Sequence, residues 1–402
     1  MSSIAIFPCT FTPADTIIHE LAKTLELEVY DDEHLLADTA RKHGLNIEKL
    51  NAAMYNKTSV FNQFTLERER AINLFKSELA DRLESPKSYL FHGFLTSLIS
   101  SRLTHVLKVL VVDSRQERIA HAVESGLTER EAKKAVKAHD IKAYNWTDFL
   151  FKKEAYDSSL FDLVIPVEGK SPAEVQEVIV KCLHTTSVLR TPESMAAVGD
   201  YQIEVEVEKL LLNGGHRVVV DCQGGDVTLT VEKSVFNFSK LATELTDLAG
   251  KVGGVKRVHV EKSVNYNDSI YRQQKFELPS KVLFVDDEKD FVQTVSERLI
   301  SRDVGTYGVF NGEEALELIA DDQPDVMVLD LKMPGLNGVE VLRRTKEVAP
   351  DVEVIILTGH GTSQDMRECM ELGAFAYMNK PVDIEELSAT IKAANDKVHK
   401  KS

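Results

Sequence analysis

Asp286, Asp287, Asp330, Thr358 and Lys380 are the residues of this chain whose types and spacing can do chemistry. Each follows a short apolar run. Asp325-Val-Met-Val-Leu-Asp330 breaks off into Met333-Pro-Gly, Lys281-Val-Leu-Phe-Val285 runs into the acid pair, Val354-Ile-Ile-Leu357 into Thr358, and Ala376-Tyr377-Met378 into Asn379, Lys380 and Pro381. Carboxylates crowded together repel unless a hard cation takes them, and Mg²⁺ prefers a few carboxylate oxygens, several waters and the oxygens of a substrate phosphate. An Asp beside such an ion can attack phosphorus and form an acyl phosphate. A lysine ammonium then neutralises a phosphoryl oxygen and a hydroxyl hydrogen-bonds another.

The elements that must position these groups are legible in the same stretch. Brief β-branched runs closed by turn formers predict buried strands of a parallel sheet. Helical-period segments lie between them, at residues 291–300, 312–320, 339–348, 363–372 and 384–398. Repeated β-α alternation predicts an α/β domain whose strand ends share one edge, where ligands bind in open sheets. Singly, each residue has a plainer reading: an acid pair before a helix is an N-cap, and Lys-Pro is common at a helix start. Together and in order, they make a complete phosphoryl-acceptor site.

At these residues the chain resembles the receiver domain of two-component response regulators, over residues 280–398. The resemblance implies a doubly wound (βα)5 domain that accepts a phosphoryl group on Asp330 from a histidine kinase, with Mg²⁺ held by Asp286, Asp287 and Asp330. It implies catalytic support from Lys380 and Thr358. It also implies a switch in which Thr358 moves towards the phosphate while the ring of Tyr377 rotates inward. Half-buried packing is the other reading of Tyr377, because tyrosine often straddles core and water.

The whole composition bounds the rest. With 402 residues, 43% hydrophobic and 28% charged, the chain has room for two to four domains with ordinary cores. A formal net charge of -16 argues against a nucleic-acid or anionic-membrane partner, since those surfaces demand clustered Lys and Arg. Cys9, Cys182, Cys222 and Cys369 form no CxxC and no disulfide framework, so they are expected to be reduced packing residues. No charged leader and no apolar run of membrane-spanning length is present, and the expected location is the cytoplasm.

The first 190 residues predict a second α/β domain, with strand candidates at 4–7, 30–31, 89–91, 106–112 and 163–165 and long helical patterns between. Tyr30-Asp31-Asp32-Glu33, Val111-Val-Asp-Ser-Arg-Gln-Glu-Arg-Ile119, Gly126-Leu-Thr-Glu-Arg-Glu-Ala132, Asp140 with Tyr144, and Tyr156-Asp-Ser-Ser-Leu-Phe-Asp162 resemble the cytidylate-kinase-like branch of the nucleoside monophosphate kinases. The chain departs from that family at the phosphate loop. Pro8-Cys-Thr-Phe-Thr-Pro-Ala-Asp-Thr16 has no glycine to let amides approach phosphate and no lysine to reach it. Thr12, Pro13 and Asp15 read instead as N-cap, first helical residue and an acid in the first turn. After Asp140 the expected arginines are replaced, leaving Lys142 as a poor substitute for a bidentate fork. The expectation is a pseudokinase that kept the fold and serves as a docking surface. Arg115 and Arg118 are expected on a solvated helix face, and Trp146 in a core or interface.

A polar connection is expected from His184 to about Asp200, then a compact α+β module at 201–264: a run at 203–212, the Asn213-Gly-Gly turn, a run at 217–221, the Gln223-Gly-Gly turn, a run at 227–231, a helix at 238–248 and a strand at 255–260. Through Gly225-Asp-Val-Thr-Leu-Thr230 and Gly253-Gly-Val-Lys-Arg-Val258 it resembles a BON-type domain, read here as an interaction or spacer module. A polar linker at 265–279 leads into the receiver-like stretch. No helix-turn-helix with a basic face follows the receiver. The expected function is therefore a cytoplasmic response regulator acting through an unknown downstream protein, without nucleic acid or membrane. The alternative is a receiver-regulated nucleotide kinase or nucleotide-binding sensor. Any enzymatic activity beyond Mg²⁺-dependent phosphoryl acceptance and aspartyl-phosphate hydrolysis is left open.

Overall fold

The computed structural model describes residues 2–401 apart from 234, 236, 265, 267–280, 301–303 and 360. The predicted linker at 265–279 therefore lies almost wholly outside the described residues. The chain forms two compact units, one of residues 1–58 and 67–272, the other of residues 59–66 and 273–402.

In the first unit, β1 (Ser3–Phe7), α1 (Ala14–Thr24), β2 (Glu28–Asp31), α2 (Asp32–His43) and α3 (Ile47–Tyr55) come first; the four-residue α4 (Asn62–Thr65) belongs to the second unit. There follow α5 (Glu67–Glu84), β3 (Tyr89–His92), β4 (Val106–Val112), α6 (Arg115–Glu124), α7 (Glu129–Phe151), β5 (Leu163–Pro166) and α8 (Pro172–Leu183). The five strands pair in parallel in the order β2-β3-β1-β4-β5. Every residue of β1 is buried, as a central parallel strand with helices on both faces requires.

Beyond α8 the expectation fails at one element. The later part of the polar connection, from Pro192 onward, and the run at 203–212 are one helix, α9 (Pro192–Asn213), started by Thr191 in a capping box with Ser194 and by Pro192 in the first turn. Apolar residues lie on two of its faces: Val198, Tyr201 and Val205 join the core of the five-stranded domain, while Val207 and Leu211 join a separate small core. A helix buried on two sides shows no single apolar stripe, so its sequence reads as extended. The small core is completed by β6 (Val219–Gln223), β7 (Asp226–Val231), α10 (Phe238–Ala249) and β8 (Arg257–Lys262). The Gly-Gly hairpin joins β6 to β7 in antiparallel register, and β8 adds in parallel. Gly224 and Gly225 take φ of 61° and 87°, which β-branched neighbours would not adopt.

The second unit runs β9 (Val282–Val285), α11 (Lys289–Ile300), β10 (Thr306–Val309), α12 (Gly312–Asp321), β11 (Val326–Leu329), α13 (Gly338–Val348), β12 (Glu353–Thr358), α14 (Ser363–Glu371), β13 (Ala376–Asn379) and α15 (Ile384–Lys401). Its five strands are parallel in the order β10-β9-β11-β12-β13. The edge strand β10, Thr306-Tyr-Gly-Val309, has no apolar run in the sequence, which is why only the other four strands are apparent there. Residues of β9, β11 and β12 are buried throughout, with helices covering both faces.

Candidate functional site

The central strands β9 and β11 deliver their acids to the same edge because their registers match, Val285 opposite Leu329. The amide of Asp330 donates to the Val285 carbonyl (2.9 Å) and that of Asp286 to Val309 (3.2 Å), so the chain direction of each acid is fixed by its neighbouring strand. Asp286 and Asp330 are 1% and 6% exposed, Asp287 is open to solvent, and one carboxylate oxygen from each lies within 4.8 Å of the others. Asp330 Oδ1 accepts the Leu331 amide (2.7 Å). Gly338 is pressed against the turn that follows: a Cβ there would sit 2.2 Å from the Asp330 carbonyl.

Lys380 closes the cluster from β13. Its amide donates to the Thr358 carbonyl (2.9 Å), and its ammonium lies 2.6 Å from Asp286 Oδ2, 3.1 Å from Glu288 Oε1 and 3.5 Å from Asp330 Oδ2. The ammonium also sits 4.4 Å from the Phe291 ring centroid. Burial drives the Asp286 carboxyl above the usual carboxylate range, against the opposing pull of Lys380. Burial opposes the charge of Lys380 too, but Asp286, Asp330 and Glu288 outweigh it and hold the ammonium above its ordinary value. Two buried carboxylates and a third beside them, set against the Lys380 ammonium, form the oxygen-rich acid cluster that a divalent cation binds.

Thr358 is fully buried at the end of β12. The Tyr377 hydroxyl is buried with no hydrogen-bond partner among the described residues, under Gly361: a Cβ on Gly361 would lie 1.5 Å from that hydroxyl and 2.9 Å from the Thr358 methyl. Thus Asp286, Asp287, Asp330, Thr358 and Lys380 meet at one sheet edge, and Tyr377 reaches the Thr358 loop from the neighbouring strand. Glu288, Gly338 and Gly361 were not apparent beforehand. Glu288 follows the acid pair directly, but nothing in a sequence marks a third partner for Lys380.

Response regulator receiver domain is the family that matches residues 282–392. Over 112 residues the chain is 35% identical to the sporulation initiation phosphotransferase F of Bacillus subtilis (strain 168), covering 28% of this chain and 90% of that protein. The chain belongs to the response regulator receiver family. It is also 34% identical over 116 residues to the response regulator MprA of Mycolicibacterium vanbaalenii, spanning 50% of that protein and 29% of this chain. Among solved structures, a response regulator receiver domain protein from Clostridium thermocellum aligns with 33% identity and a TM-score of 0.30, over 31% of this chain and 99% of that one. The receiver family match and the sequence relatives support a two-component response regulator and imply a histidine kinase as phosphodonor; receivers generally use Mg²⁺.

Residues 4–168 match a second family, Cytidylate kinase-like. In this unit the expected phosphate loop is built differently from its sequence reading. Pro13, not Thr12, is the N-cap of α1, and the Thr12 hydroxyl donates backwards to the Cys9 carbonyl (2.8 Å). Phe11 takes φ of 58°, a left-handed conformation where glycine is normally needed. The loop's carbonyls are pinned by cations and imidazoles: Arg118 Nε donates to Thr10 (2.9 Å), His121 Nδ1 to Phe11 (3.1 Å) and His139 Nε2 to Pro8 (3.3 Å). Arg118 is not solvated as expected; it is 3% exposed and paired with Asp140 at 2.8 Å. A buried arginine reads as a solvated one when its acid lies on another helix. The cleft beside this loop, about 570 Å³, is lined by Asp15, Asp113, Glu117 and Glu168 against His121 and Lys170, an acid-rich wall unsuited to a polyphosphate. Trp146 is fully buried and donates to the Phe94 carbonyl (2.8 Å).

Proposed function

We propose that this response regulator accepts its phosphoryl group on Asp330 and answers through contacts with protein rather than DNA, in the cytoplasm. The observation that carries the reading is the cluster of three carboxylates within 4.8 Å of one another with the Lys380 ammonium against two of them. Asp286, Asp287 and Asp330 would hold Mg²⁺, which supplies charge neutralisation and an anchor for phosphoryl oxygens when bound.

In the transfer, a carboxylate oxygen of Asp330 attacks phosphorus while the bond from phosphorus to the donor histidine nitrogen breaks and its electron pair stays on that nitrogen; a proton on the other ring nitrogen leaves the kinase with a neutral imidazole. Lys380 turns from its carboxylate partners towards a phosphoryl oxygen, and the Thr358 hydroxyl donates to another. Tyr377, stacked under Gly361 against the Thr358 loop, would report that movement to the surface of α14 and β13, a population shift driven by one new dianion.

The output reading rests on charge. A chain of net -16 is poorly matched to a phosphate backbone, and the kinase-like unit, with its loop carbonyls pinned, offers surface rather than phosphotransfer. A pull-down from native lysate with beryllofluoride-loaded and unloaded full-length protein tests it. Proteins that differ between the two arms support the reading; identical profiles, with the mimic bound, contradict it.

A further inference from the structure

One segment of the second unit comes from far away in the sequence. Ser59–Leu66 is flanked by Thr58 and Glu67 of the first unit, yet clusters with the receiver. Arg68 donates to the Thr58 hydroxyl and so ties the two ends of this excursion together, making a compact loop of the kind that often carries function. The loop is internally ordered: Ser59 Oγ accepts the Phe61 amide (3.0 Å), Phe64 and Thr65 amides donate to the Phe61 carbonyl, and Leu66 closes the turn at φ of 51°.

Its side chains fill a seat on the receiver. Phe61 is fully buried in the core cluster that holds Leu283, Ile319 and Met327, and its ring meets Tyr307 edge-on at 6.2 Å. Phe64 lies over Gly305, where a Cβ would come within 2.7 Å of it. The Val60 amide donates to Asp322 Oδ2 (2.9 Å) at the C-terminus of α12. Two aromatic anchors, a glycine hollowed to receive one of them and a carboxylate on the backbone constitute a fitted docking site, occupied in cis.

The seat is also connected to the phosphoryl-acceptor edge. Tyr307 lies on β10, whose Val309 carbonyl accepts the Asp286 amide; α12, whose end holds Val60, begins beside the loop after Asp330, with Glu313 3.2 Å from the position of a Cβ on Gly335. We infer that Ser59–Leu66 is the receiver's own cis ligand, and that its seating on β10 and α12 is coupled to the phosphorylation state of Asp330. This rests on the phosphoryl-acceptor reading above and names the first recipient of its signal as a segment of the same chain. Coupling between two sites is reciprocal, so the loop must also act back on Asp330.

The test is hydrogen exchange on the full-length protein with Mg²⁺, with and without beryllofluoride. Peptides covering 59–66 and 305–322 are expected to change protection severalfold on loading. Phe61→Ser/Phe64→Ser should abolish that response and change the lifetime of the Asp330 phosphate severalfold. Gly305→Ala, which only crowds Phe64, should shift both readouts in the same direction and guards against a variant that fails to fold. Loading that alters exchange around Asp330 but leaves 59–66 unchanged, with phosphate lifetime the same in all variants, overturns the coupling alone. No response around Asp330 in the wild type overturns the acceptor reading and the coupling with it.

Discussion

A single lysine set among three carboxylates makes Lys380 the residue on which the charge balance of the site turns. Replacing Glu288 by Gln frees Lys380 from its most exposed partner, 3.1 Å away, without touching the acid cluster. Acyl-phosphate labelling of Glu288→Gln is expected to be faster than wild type, whereas Lys380→Ala should be slower; time courses of labelling check both. Gly361 gives a sharper residue-scale test. A methyl group there collides with the Tyr377 hydroxyl, while at Gly359 the nearest atoms are 3.9 Å away. Gly361→Ala should displace the Tyr377 ring and shift its aromatic NMR signals, and Gly359→Ala should leave them in place. In the other unit, burial pushes the Asp32 carboxyl from 3.8 up to about 6, although it accepts the Phe94 and Leu95 amides. A raised carboxyl contributes its stability below its unfolded value and loses it as pH rises through the folded one. Wild type should therefore lose stability relative to Asp32→Asn as pH rises through about 6, seen by chemical denaturation at a series of pH values. The acids, hydroxyl and lysine of the receiver were legible because each ends an apolar run. Glu288, Gly361 and the buried Arg118 were not, because their importance lies in contacts across elements.

At the scale of elements, strands announced themselves where they are buried on both faces and vanished where they are not. The central β9, β11 and β12 are continuous apolar runs; the edge strand β10 alternates threonine, tyrosine, glycine and valine and is visible only through its pairing with β9. Helix α9 shows the opposite failure, since burial on two faces erases the periodicity by which helices are recognised. Gly93, between β3 and the turn that follows, holds the Asp32 interaction together. Its φ is 118° and a Cβ would lie 2.4 Å from the Asp32 carboxyl carbon, so Gly93→Ala should destabilise the first unit by roughly 3 kcal/mol or more, measurable by denaturant unfolding.

For the whole molecule, two compact units with separate cores imply separable unfolding transitions, and a cation bound by the receiver acids stabilises only one of them. Mg²⁺ at roughly ten times its Kd should raise that transition by about 1.4 kcal/mol. Asp286→Ala should remove the increment without unfolding the unit, because an acid cluster without its cation is a source of repulsion. The two parallel α/β sheets could be read from the alternation of runs, and no helix among the described residues is long and apolar enough to cross a membrane. The excursion of Ser59–Leu66 into the second unit could not be read at all, since it pairs residues more than two hundred positions apart in a segment that looks like an ordinary interhelical loop. Whether Asp330 is the phosphoryl acceptor is decided by mass spectrometry of full-length protein incubated with acetyl phosphate and Mg²⁺. One phosphoryl group is expected on the peptide containing Asp330, absent in Asp330→Ala and absent without the ion; a phosphoryl group that persists in Asp330→Ala would place the acceptor elsewhere.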